Sequence, residues 1–156
     1  MPLHEDPAEH RGYLRWFYRG WRPTRLGRFH NRIWAWLSSR GLTPPILVTL
    51  QVKDRSHAQL RSVVLVAATY EGHRYLVSML GESSEWVQNL RAADGMACIQ
   101  RGQAYPVTLT EIPPHERAPI LKAWCQVATS GRQHLPVSHH DPVSAFEAIA
   151  RDYPVF

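Results

Sequence analysis

The most informative segment of this chain reads Tyr75-Leu76-Val77-Ser78-Met79-Leu80-Gly81-Glu82-Ser83-Ser84-Glu85-Trp86-Val87-Gln88-Asn89-Leu90. The pattern predicts an apolar strand, a turn at Gly81, and a short helix that begins after two serines and carries Trp86. Serine is a preferred N-cap residue because its hydroxyl accepts hydrogen bonds from the free N–H groups of the first helical turn. A helix start also presents a positive dipole end to an anion. The segment therefore predicts a turn and a helix start suited to a nearby anion, which by itself is only a weak signal for a site.

The bulk composition predicts one globular domain with a sizeable core. The chain has 156 residues, of which 44% are hydrophobic and 20% charged, values typical of globular proteins. No apolar run approaches the roughly 20 residues of a membrane-spanning helix, and the first residues lack the basic-then-apolar pattern of a secretory signal. Two cysteines are too few for a disulfide framework. We therefore predict a cytoplasmic protein.

The positive charge is concentrated near the N-terminus. Between Arg11 and Lys53 there is no acidic residue, whereas eight arginines and four tryptophans fall there. We predict that residues 1–41 form a basic, aromatic helical arm or lid and that residues 42–156 form the ligand-binding domain. Such an arm suits an anionic cofactor or the anionic inner face of a membrane. We predict no nucleic-acid partner, because the chain has no helix-turn-helix or RNP-type motif.

The rest of the chain alternates between strand and helix patterns. Glu71-Gly72 and Arg101-Gly102 separate pairs of short apolar runs, as hairpin turns do. Asp141-Pro142 is predicted to be the N-cap and first residue of the last helix. The predicted strands cover 46–52, 61–70, 75–80, 97–100, 104–109 and an edge strand in 152–156, and the predicted helices cover 85–93, 113–128 and 142–151. This order favours an α+β fold around an antiparallel sheet or small barrel.

The residues themselves single out one candidate anion site. It is the loop 53–57 together with Arg61, because arginine offers forked donors that match phosphate and carboxylate oxygens. A solvated loop between two strands explains the same composition. Cys98 and Cys125 occupy apolar periodic positions, so we predict buried structural thiols.

No metal site and no catalytic side chain are predicted. His134, His139, His140 and Asp141 lack the spacing of a metal-binding motif, and Asp141 is accounted for as a helix cap. The chain has no GxSxG, P-loop or GxGxxG motif. The catalytic residues stay unidentified at this level.

Several pieces of the sequence become specific when they are taken together. They are Leu42-Thr43-Pro44-Pro45; Val63-Val64-Leu65-Val66 followed by Tyr70-Glu71-Gly72; Tyr75-Leu76-Val77-Ser78; Glu85-Trp86-Val87-Gln88-Asn89-Leu90-Arg91-Ala92; Pro113-Pro114-His115-Glu116-Arg117-Ala118-Pro119; and Tyr153-Pro154-Val155-Phe156. In this combination the chain resembles the deazaflavin-dependent nitroreductase and quinone-reductase family. These proteins are split β-barrels that bind coenzyme F420. The resemblance implies a flavin-reductase-like split barrel of five or six mostly antiparallel strands, with the N-terminal helical arm and peripheral helices around it.

The resemblance also implies a function and a set of cofactor-binding residues. The implied reaction transfers a hydride from reduced F420 to a quinone-like or nitroaromatic electron acceptor, a small molecule. A loop holds the phosphate and acidic tail, the second strand lines the deazaflavin ring, and a turn and the following helix close the pocket. These parts correspond to Arg55, Ser56 and Arg61 in the loop; Val63, Val64 and Leu65 in the strand; Ser78, Met79, Leu80 and Gly81 in the turn; and Trp86 and Asn89 in the helix.

Two positions depart from the family pattern. The family loop reads arginine, serine, glycine and a basic residue, whereas this loop continues from Ser56 as His57-Ala58-Gln59 and lacks the glycine. A basic residue often found after the third strand is Leu80 here. Both differences remove features that favour a multiply charged cofactor tail.

These departures keep other functions open. One is an FMN-binding protein with the same barrel, and another is a non-catalytic barrel whose pocket holds a lipid or other apolar ligand. A third is a peripheral membrane protein whose basic arm is its main functional part. The resemblance also raises a homodimer, although no residue of the sequence indicates one.

Overall fold

The computed structural model describes residues 46–101 and 103–156, so the predicted arm of residues 1–41 lies outside the described part. The strands are β1 (Leu47–Lys53), β2 (Leu60–Tyr70), β3 (His73–Leu76), β4 (Met96–Arg101) and β5 (Gln103–Thr108). The helices are α1 (Glu85–Ala92), α2 (Arg117–Val127) and α3 (Val143–Ile149), with short 3₁₀ turns at Pro114–Glu116 and Arg132–His134. Within the described ranges no helix combines the length and apolarity needed to cross a membrane.

The strands form one antiparallel sheet in the order β3-β2-β1-β4-β5. The sheet curls into a half-barrel that is accompanied by the three helices. This is the α+β architecture that the sequence predicted, and the prediction is confirmed. The long strand β2 has two partners: Leu60–Val66 pairs with β1, and Ala67–Tyr70 pairs with β3. Among the described residues, the first half of β2 therefore pairs with β1 on one side and with no strand on the other.

The turn between β2 and β3 follows from its two residues. Glu71 and Gly72 have φ values of 48° and 79°, and they connect the paired residues Tyr70 and His73. Two successive positive φ angles are typical of a type I′ hairpin turn, whose twist matches that of the strands. The hairpin predicted at Glu71-Gly72 is confirmed.

Apolar residues on the two faces of the sheet form two cores. One core joins the alternating residues Val48, Leu50 and Val52 of β1 to Val87 and Leu90 of α1. The other joins the far half of β2 to α2 and α3. Its members include Ala68, Leu121, Trp124, Cys125 and Phe146, all of them buried. Because alternate side chains of a strand point to opposite faces, β2 contributes to both cores.

The third strand is shorter than the sequence predicted. It covers His73–Leu76 rather than 75–80, because beyond Leu76 the chain meets the C-terminus at a single bridge and then turns at 79–80. Val77 forms an isolated bridge with Val155, and Leu76 exchanges two backbone hydrogen bonds with Phe156. The predicted C-terminal edge strand is therefore a single bridge that secures the last residues against the end of β3.

Two predicted helix caps are wrong in detail. Ser84 occupies the N-cap position of α1, but its side chain makes no cap hydrogen bond, because its hydroxyl is paired with Ser78 Oγ at 2.6 Å. The N-cap of α3 is Pro142 rather than Asp141. Asp141 Oδ2 instead accepts a hydrogen bond from the backbone N–H of Ser138 at 2.7 Å. Ser84 hydrogen-bonds to Ser78, and Asp141 hydrogen-bonds to the backbone of Ser138, instead of to the helix ends. Short polar side chains commonly form such local hydrogen bonds.

Candidate functional site

A pocket of about 890 Å³ lies along the first half of β2. Its volume falls in the range of about 300–1,000 Å³ that is common for ligand sites. Most of its lining is apolar, and the charged lining residues are Asp54 and Arg61 from the β1–β2 loop and the start of β2 and Glu85 from the start of α1, which we call the polar rim together with Arg55. The described residues that line it are Leu47, Val52, Asp54, Arg61, Ser62, Val63, Val64, Leu65, Val66, Val77, Met79, Leu80, Ser84, Glu85, Trp86, Asn89, Trp124, Ser130, Gly131, Gln133 and His134.

The pocket meets β2 at its edge. Six successive residues, 61–66, line it, which requires contact with both faces of the strand and the edge between them. The N–H of Ala67 donates to Ile46 O on the β1 side, while Val66 O accepts from the Trp124 indole on the opposite side at 3.1 Å. Since backbone groups alternate in direction along an antiparallel strand, Ser62 and Val64 also direct their N–H and C=O groups away from β1. The pocket wall therefore offers backbone donors and acceptors among apolar side chains.

Trp124 forms part of the apolar wall. It is 2% exposed, and its hydrogen bond to Val66 O fixes the ring against β2. A Cβ added at Gly131 would lie 2.8 Å from Trp124 Cη2 and 3.2 Å from Met79 Sδ. Only glycine fits between these two side chains without displacing them. Trp124, Met79 and Gly131 thus pack as one unit at the pocket wall.

The turn after β3 is held by serine hydroxyls. Ser78 is buried, and its hydroxyl donates to Gly81 O at 2.7 Å while it is paired with the Ser84 hydroxyl at 2.6 Å. Gly81 adopts a φ of 80°, a conformation that favours glycine. This turn directs Met79 and Leu80 to the pocket. Leu80 is 64% exposed, a large exposed fraction for an apolar side chain.

Helix α1 supplies the opposite side of the pocket. Trp86 packs edge-on against the C-terminal Phe156 with ring centroids 5.5 Å apart, so its position is set by the chain end. Asn89 is 2% exposed, and its Oδ1 accepts from the Arg55 backbone N–H at 3.1 Å and from Arg55 Nη1 at 3.0 Å. Asn89 therefore holds the loop between β1 and β2 against α1.

At the polar rim, Asp54 organises that loop. Its Oδ2 accepts from Arg61 Nε at 2.8 Å, and its Oδ1 accepts from the N–H groups of Ser56 and His57 at 2.8 and 3.0 Å. The Arg61 hydrogen bond, followed by the two backbone N–H groups, holds the pKa of Asp54 far below its usual range. Asp54 is a carboxylate, and it neutralises Arg61 from within the chain.

Arg55 is also paired within the chain. Its Nη1 and Nη2 donate to the two carboxylate oxygens of Glu85 at 2.8 and 3.3 Å, the two-pronged geometry that arginine makes with carboxylates. The hydrogen bond to Glu85 raises the pKa of Arg55 above its ordinary value. The two arginines of the predicted anion loop thus hold Glu85 and Asp54 in this structure.

The structure brings eight of the predicted site residues to the pocket. They are Arg61, Val63, Val64, Leu65, Met79, Leu80, Trp86 and Asn89. Arg55, Ser56, Ser78 and Gly81 do not line it; they position residues that do, through the contacts with Asn89, Asp54 and the turn. Whether any of the twelve contacts a cofactor stays a prediction.

Sequence reasoning missed several pocket residues that come from distant segments. Trp124 was assigned only to the apolar stripe of a helix, and residues 130–134 carry no motif. For Asp54 and Glu85 the sequence held a signal for ion pairs with the candidate arginines. Each carboxylate lies near one of these arginines in the sequence or in the predicted fold. The pairing itself required the loop and α1 to be placed in space.

The remaining candidates play other parts. Cys98 and Cys125 are buried free thiols, as predicted, and burial raises the pKa of Cys125 to about 11. His139 and His140 stack with ring centroids 3.8 Å apart. Within residues 46–101 and 103–156, no group of three or more His, Cys, Asp or Glu side chains is placed to hold a metal ion.

Solved structures with a similar fold include three at low identity. A domain-swapped dimer has 18% identity and a TM-score of 0.48, with 83% of this chain and 92% of that chain covered. An F420-H2 dependent reductase has 18% identity and a TM-score of 0.43, covering 72% and 92%. A NimC/NimA family protein from Clostridium acetobutylicum has 15% identity and a TM-score of 0.45, covering 81% and 82%.

Comparison of the sequence with protein-family models and with curated proteins found no match. The three solved structures are similar to this chain in fold alone. The evidence on the ligand therefore comes from the residues that line the pocket.

Proposed function

We propose that this protein is an oxidoreductase that transfers a hydride from reduced coenzyme F420 to a quinone-like or nitroaromatic acceptor. The observation that carries the proposal is the pocket along the edge of β2, which combines an apolar wall with a row of backbone donors and acceptors. A flat heteroaromatic ring has apolar faces and a polar edge. The wall matches both properties, and a volume of about 890 Å³ also leaves room beside the ring for an acceptor.

In this proposal the protein binds and orients, and the coenzyme carries the chemistry. When bound, the deazaflavin supplies a hydride, which is two electrons and a proton delivered as one unit. Val64 and Ser62 would offer backbone groups to the ring edge, while Trp86 and Met79 would confine its position. Apolar walls exclude water from the space between ring and acceptor, and alignment of two reactants in one pocket lowers the entropic cost of the reaction. This division of labour needs no nucleophile.

The paired charges of the polar rim offer no excess positive charge, so the rim suits the ring end of the cofactor better than the charged tail. Arg55 and Arg61 are the cations that the resemblance assigns to the tail, and each already holds a carboxylate of the chain. This pairing is the observation that favours a second candidate: an FMN-binding or non-catalytic apolar-ligand barrel, whose ligand carries fewer charges. The two candidates share the pocket and differ in the ligand that fills it.

Titration of the full chain with F420, FMN and haem tests the proposal. Trp86 and Trp124 line the pocket, so quenching of tryptophan fluorescence reports binding. We expect F420 to bind in the micromolar range and reduced F420 to be oxidised when a soluble quinone or nitroaromatic compound is added. The absence of F420 binding at micromolar concentration would overturn the proposal, and binding of FMN in its place would favour the second candidate.

A matched pair of lysine variants locates the ligand. Leu80→Lys adds a cation at the pocket, and Val143→Lys adds one at another exposed apolar residue, which does not line the pocket. If a charged cofactor binds here, Leu80→Lys tightens binding of F420 and Val143→Lys leaves it unchanged. An equal response of both variants would contradict binding in this pocket.

Membrane contact by the basic arm and assembly as a homodimer are further parts of the proposal. Eight arginines with no acidic residue between Arg11 and Lys53 favour the first. Sedimentation with anionic and with neutral lipid vesicles tests it, and equal binding to both would contradict it. Light scattering across a range of protein concentrations tests for the dimer.

A further inference from the structure

Four charged side chains form the polar rim, and their two positive and two negative charges sum to zero. Arg55 and Arg61 carry the positive charges, and Asp54 and Glu85 carry the negative ones. Arg61, Asp54 and Glu85 line the pocket directly. Because electrostatic selection depends on the summed charge that a ligand meets, a polyanion gains little from this rim as it stands.

The two carboxylates are held very differently. The Asp54 side chain is 11% exposed and is fixed by Arg61 and by two backbone N–H groups. The Glu85 side chain is 78% exposed, and its hydrogen bonds come from Arg55. An exposed ion pair contributes little to stability and exchanges readily with solvent. Glu85 is therefore the carboxylate that a ligand can displace.

Arg55 stays in place when Glu85 leaves. Asn89 accepts hydrogen bonds from both the backbone N–H and Nη1 of Arg55, and Asn89 itself is buried. Glu85 is the first residue of α1, one helical turn before Asn89, so the helix presents both partners to the same guanidinium. Loss of Glu85 would expose a cation whose position is already fixed.

From this arrangement we infer that Glu85 is a specificity-determining residue: it fills the guanidinium fork of Arg55 and so selects ligands of low negative charge over polyanions. The inference builds on the proposed function in one respect, namely that this pocket is the ligand site. It implies that the acidic tail of F420 gains little from this rim, so that the apolar wall and the backbone groups of β2 carry most of the binding. A chain of carboxylates would have to displace Glu85 and would still lie beside Asp54.

The test compares two probes on four forms of the full chain. Inorganic pyrophosphate reports the charge selection alone, and the ribityl deazaflavin that lacks the phosphate and acidic tail reports the ring pocket. The variants are Glu85→Gln, the control Glu82→Gln, and the double variant Arg55→Gln/Glu85→Gln. Glu82 is an exposed glutamate that pairs with Arg91 and does not line the pocket, so its variant makes the same change in net charge elsewhere.

We expect Glu85→Gln to bind pyrophosphate more tightly by on the order of tenfold, because removal of one charge a few ångströms away at a partly solvated site has about that effect. The control and the double variant should bind pyrophosphate like the wild type, and the tail-free deazaflavin should bind all four forms alike. High salt should reduce the gain. Thermal unfolding of each form confirms that the exposed substitutions leave the fold intact.

Three results would overturn the inference: equal pyrophosphate affinities in the wild type and Glu85→Gln, an equal gain in Glu82→Gln, or a gain that persists without Arg55. The pyrophosphate measurements do not involve a deazaflavin. Suppose that the protein binds neither the tail-free deazaflavin nor F420, but Glu85→Gln still binds pyrophosphate more tightly than the wild type. This result would contradict the proposed function and would still support the charge selection by Glu85.

Discussion

Two arginine–carboxylate networks each include one residue of helix α1, and they differ in what surrounds the arginines. The rim network consists of Arg55, Arg61, Asp54 and Glu85 and lies at the pocket. The base network consists of Glu82, Arg91, Glu111 and Arg117, and none of its members lines the pocket. Both networks contain two arginines and two carboxylates, so the numbers of positive and negative charges in the two are the same.

The base network is built into the fold. Arg117 is 3% exposed and donates to the backbone oxygens of Ile112 at 2.7 Å and Ala150 at 3.1 Å, and to Glu111 at 3.0 Å. It therefore joins the start of α2, the end of α3 and the segment after β5. In the rim network, Arg55 is partly exposed and its main partner is an exposed carboxylate. Burial and backbone acceptors make Arg117 structural, whereas Arg55 is held by an exposed carboxylate, which in our inference keeps polyanions from its guanidinium group.

The largest expected effect comes from the buried arginine. Arg117→Met would leave buried carbonyl oxygens without a donor, and loss of a buried, hydrogen-bonded charge costs about 3–5 kcal/mol of unfolding free energy. Arg55→Met serves as the matched variant in the rim network, and we expect only a small fraction of that loss. Urea unfolding of both variants measures the difference. Equal losses would contradict the distinction between the networks.

The second prediction concerns the packing at the pocket wall. Gly131→Ala would place a methyl group 2.8 Å from Trp124 Cη2, and overpacking of this kind costs about 1–3 kcal/mol. We also expect altered tryptophan fluorescence, since the ring has to move. Ser130→Ala, at the exposed neighbouring position, should leave both unfolding and fluorescence unchanged. If Gly131→Ala kept the unfolding free energy and the fluorescence spectrum of the wild type, the pocket wall would accommodate the methyl group without strain, and the prediction would be wrong.

The third prediction uses acid to test the base network. The Arg91 hydrogen bond, aided by the positive charges of Arg91 and Arg117, lowers the pKa of Glu111. A carboxyl group whose folded pKa lies below its unfolded value of about 4.3 adds stability above that value. This stability is lost as the pH falls through the folded pKa. Between about pH 6 and pH 3 the wild type should therefore lose more unfolding free energy than Glu111→Gln. Parallel losses of the two proteins in urea unfolding would contradict the assignment.

The smallest expected effect is in the rim network. Glu85→Gln should change stability only slightly, because both partners of its ion pair are exposed to solvent. Any difference from the wild type should disappear in about 1 M NaCl, where the Debye length is only about 3 Å. Thermal unfolding at low and high salt measures it. A large, salt-independent loss would mean that Glu85 belongs to the structure rather than to ligand selection.

Local patterns in the sequence predicted much of the fold. The hairpin at Glu71-Gly72, the start of α1 at Glu85 and the long strand β2 all lie where the pattern placed them, because turn chemistry and hydrophobic periodicity act within a few residues. The predictions that were wrong depended on longer-range partners. Ser84 pairs with Ser78 rather than with the helix end, and the third strand stops at Leu76 where the C-terminus joins it.

The site was predictable to a smaller extent. The resemblance pointed to residues 63–65, to Met79 and Leu80, and to Trp86 and Asn89, and all of these line the pocket. Trp124 and Gly131 come from the distant segment after β5, and no local pattern connects them with β2. Their part in the pocket arises from packing between α2 and the sheet.

By itself, the sequence determined the α+β class, the order of the elements and the positions that carry arginine and carboxylate groups. Only the tertiary structure decided which of these charges neutralise each other and which apolar residues enclose a pocket. The physical reason is distance. Propensity and periodicity act between neighbours along the chain, whereas the pairing of Arg55 with Glu85 spans 30 residues and that of Trp124 with Val66 spans 58.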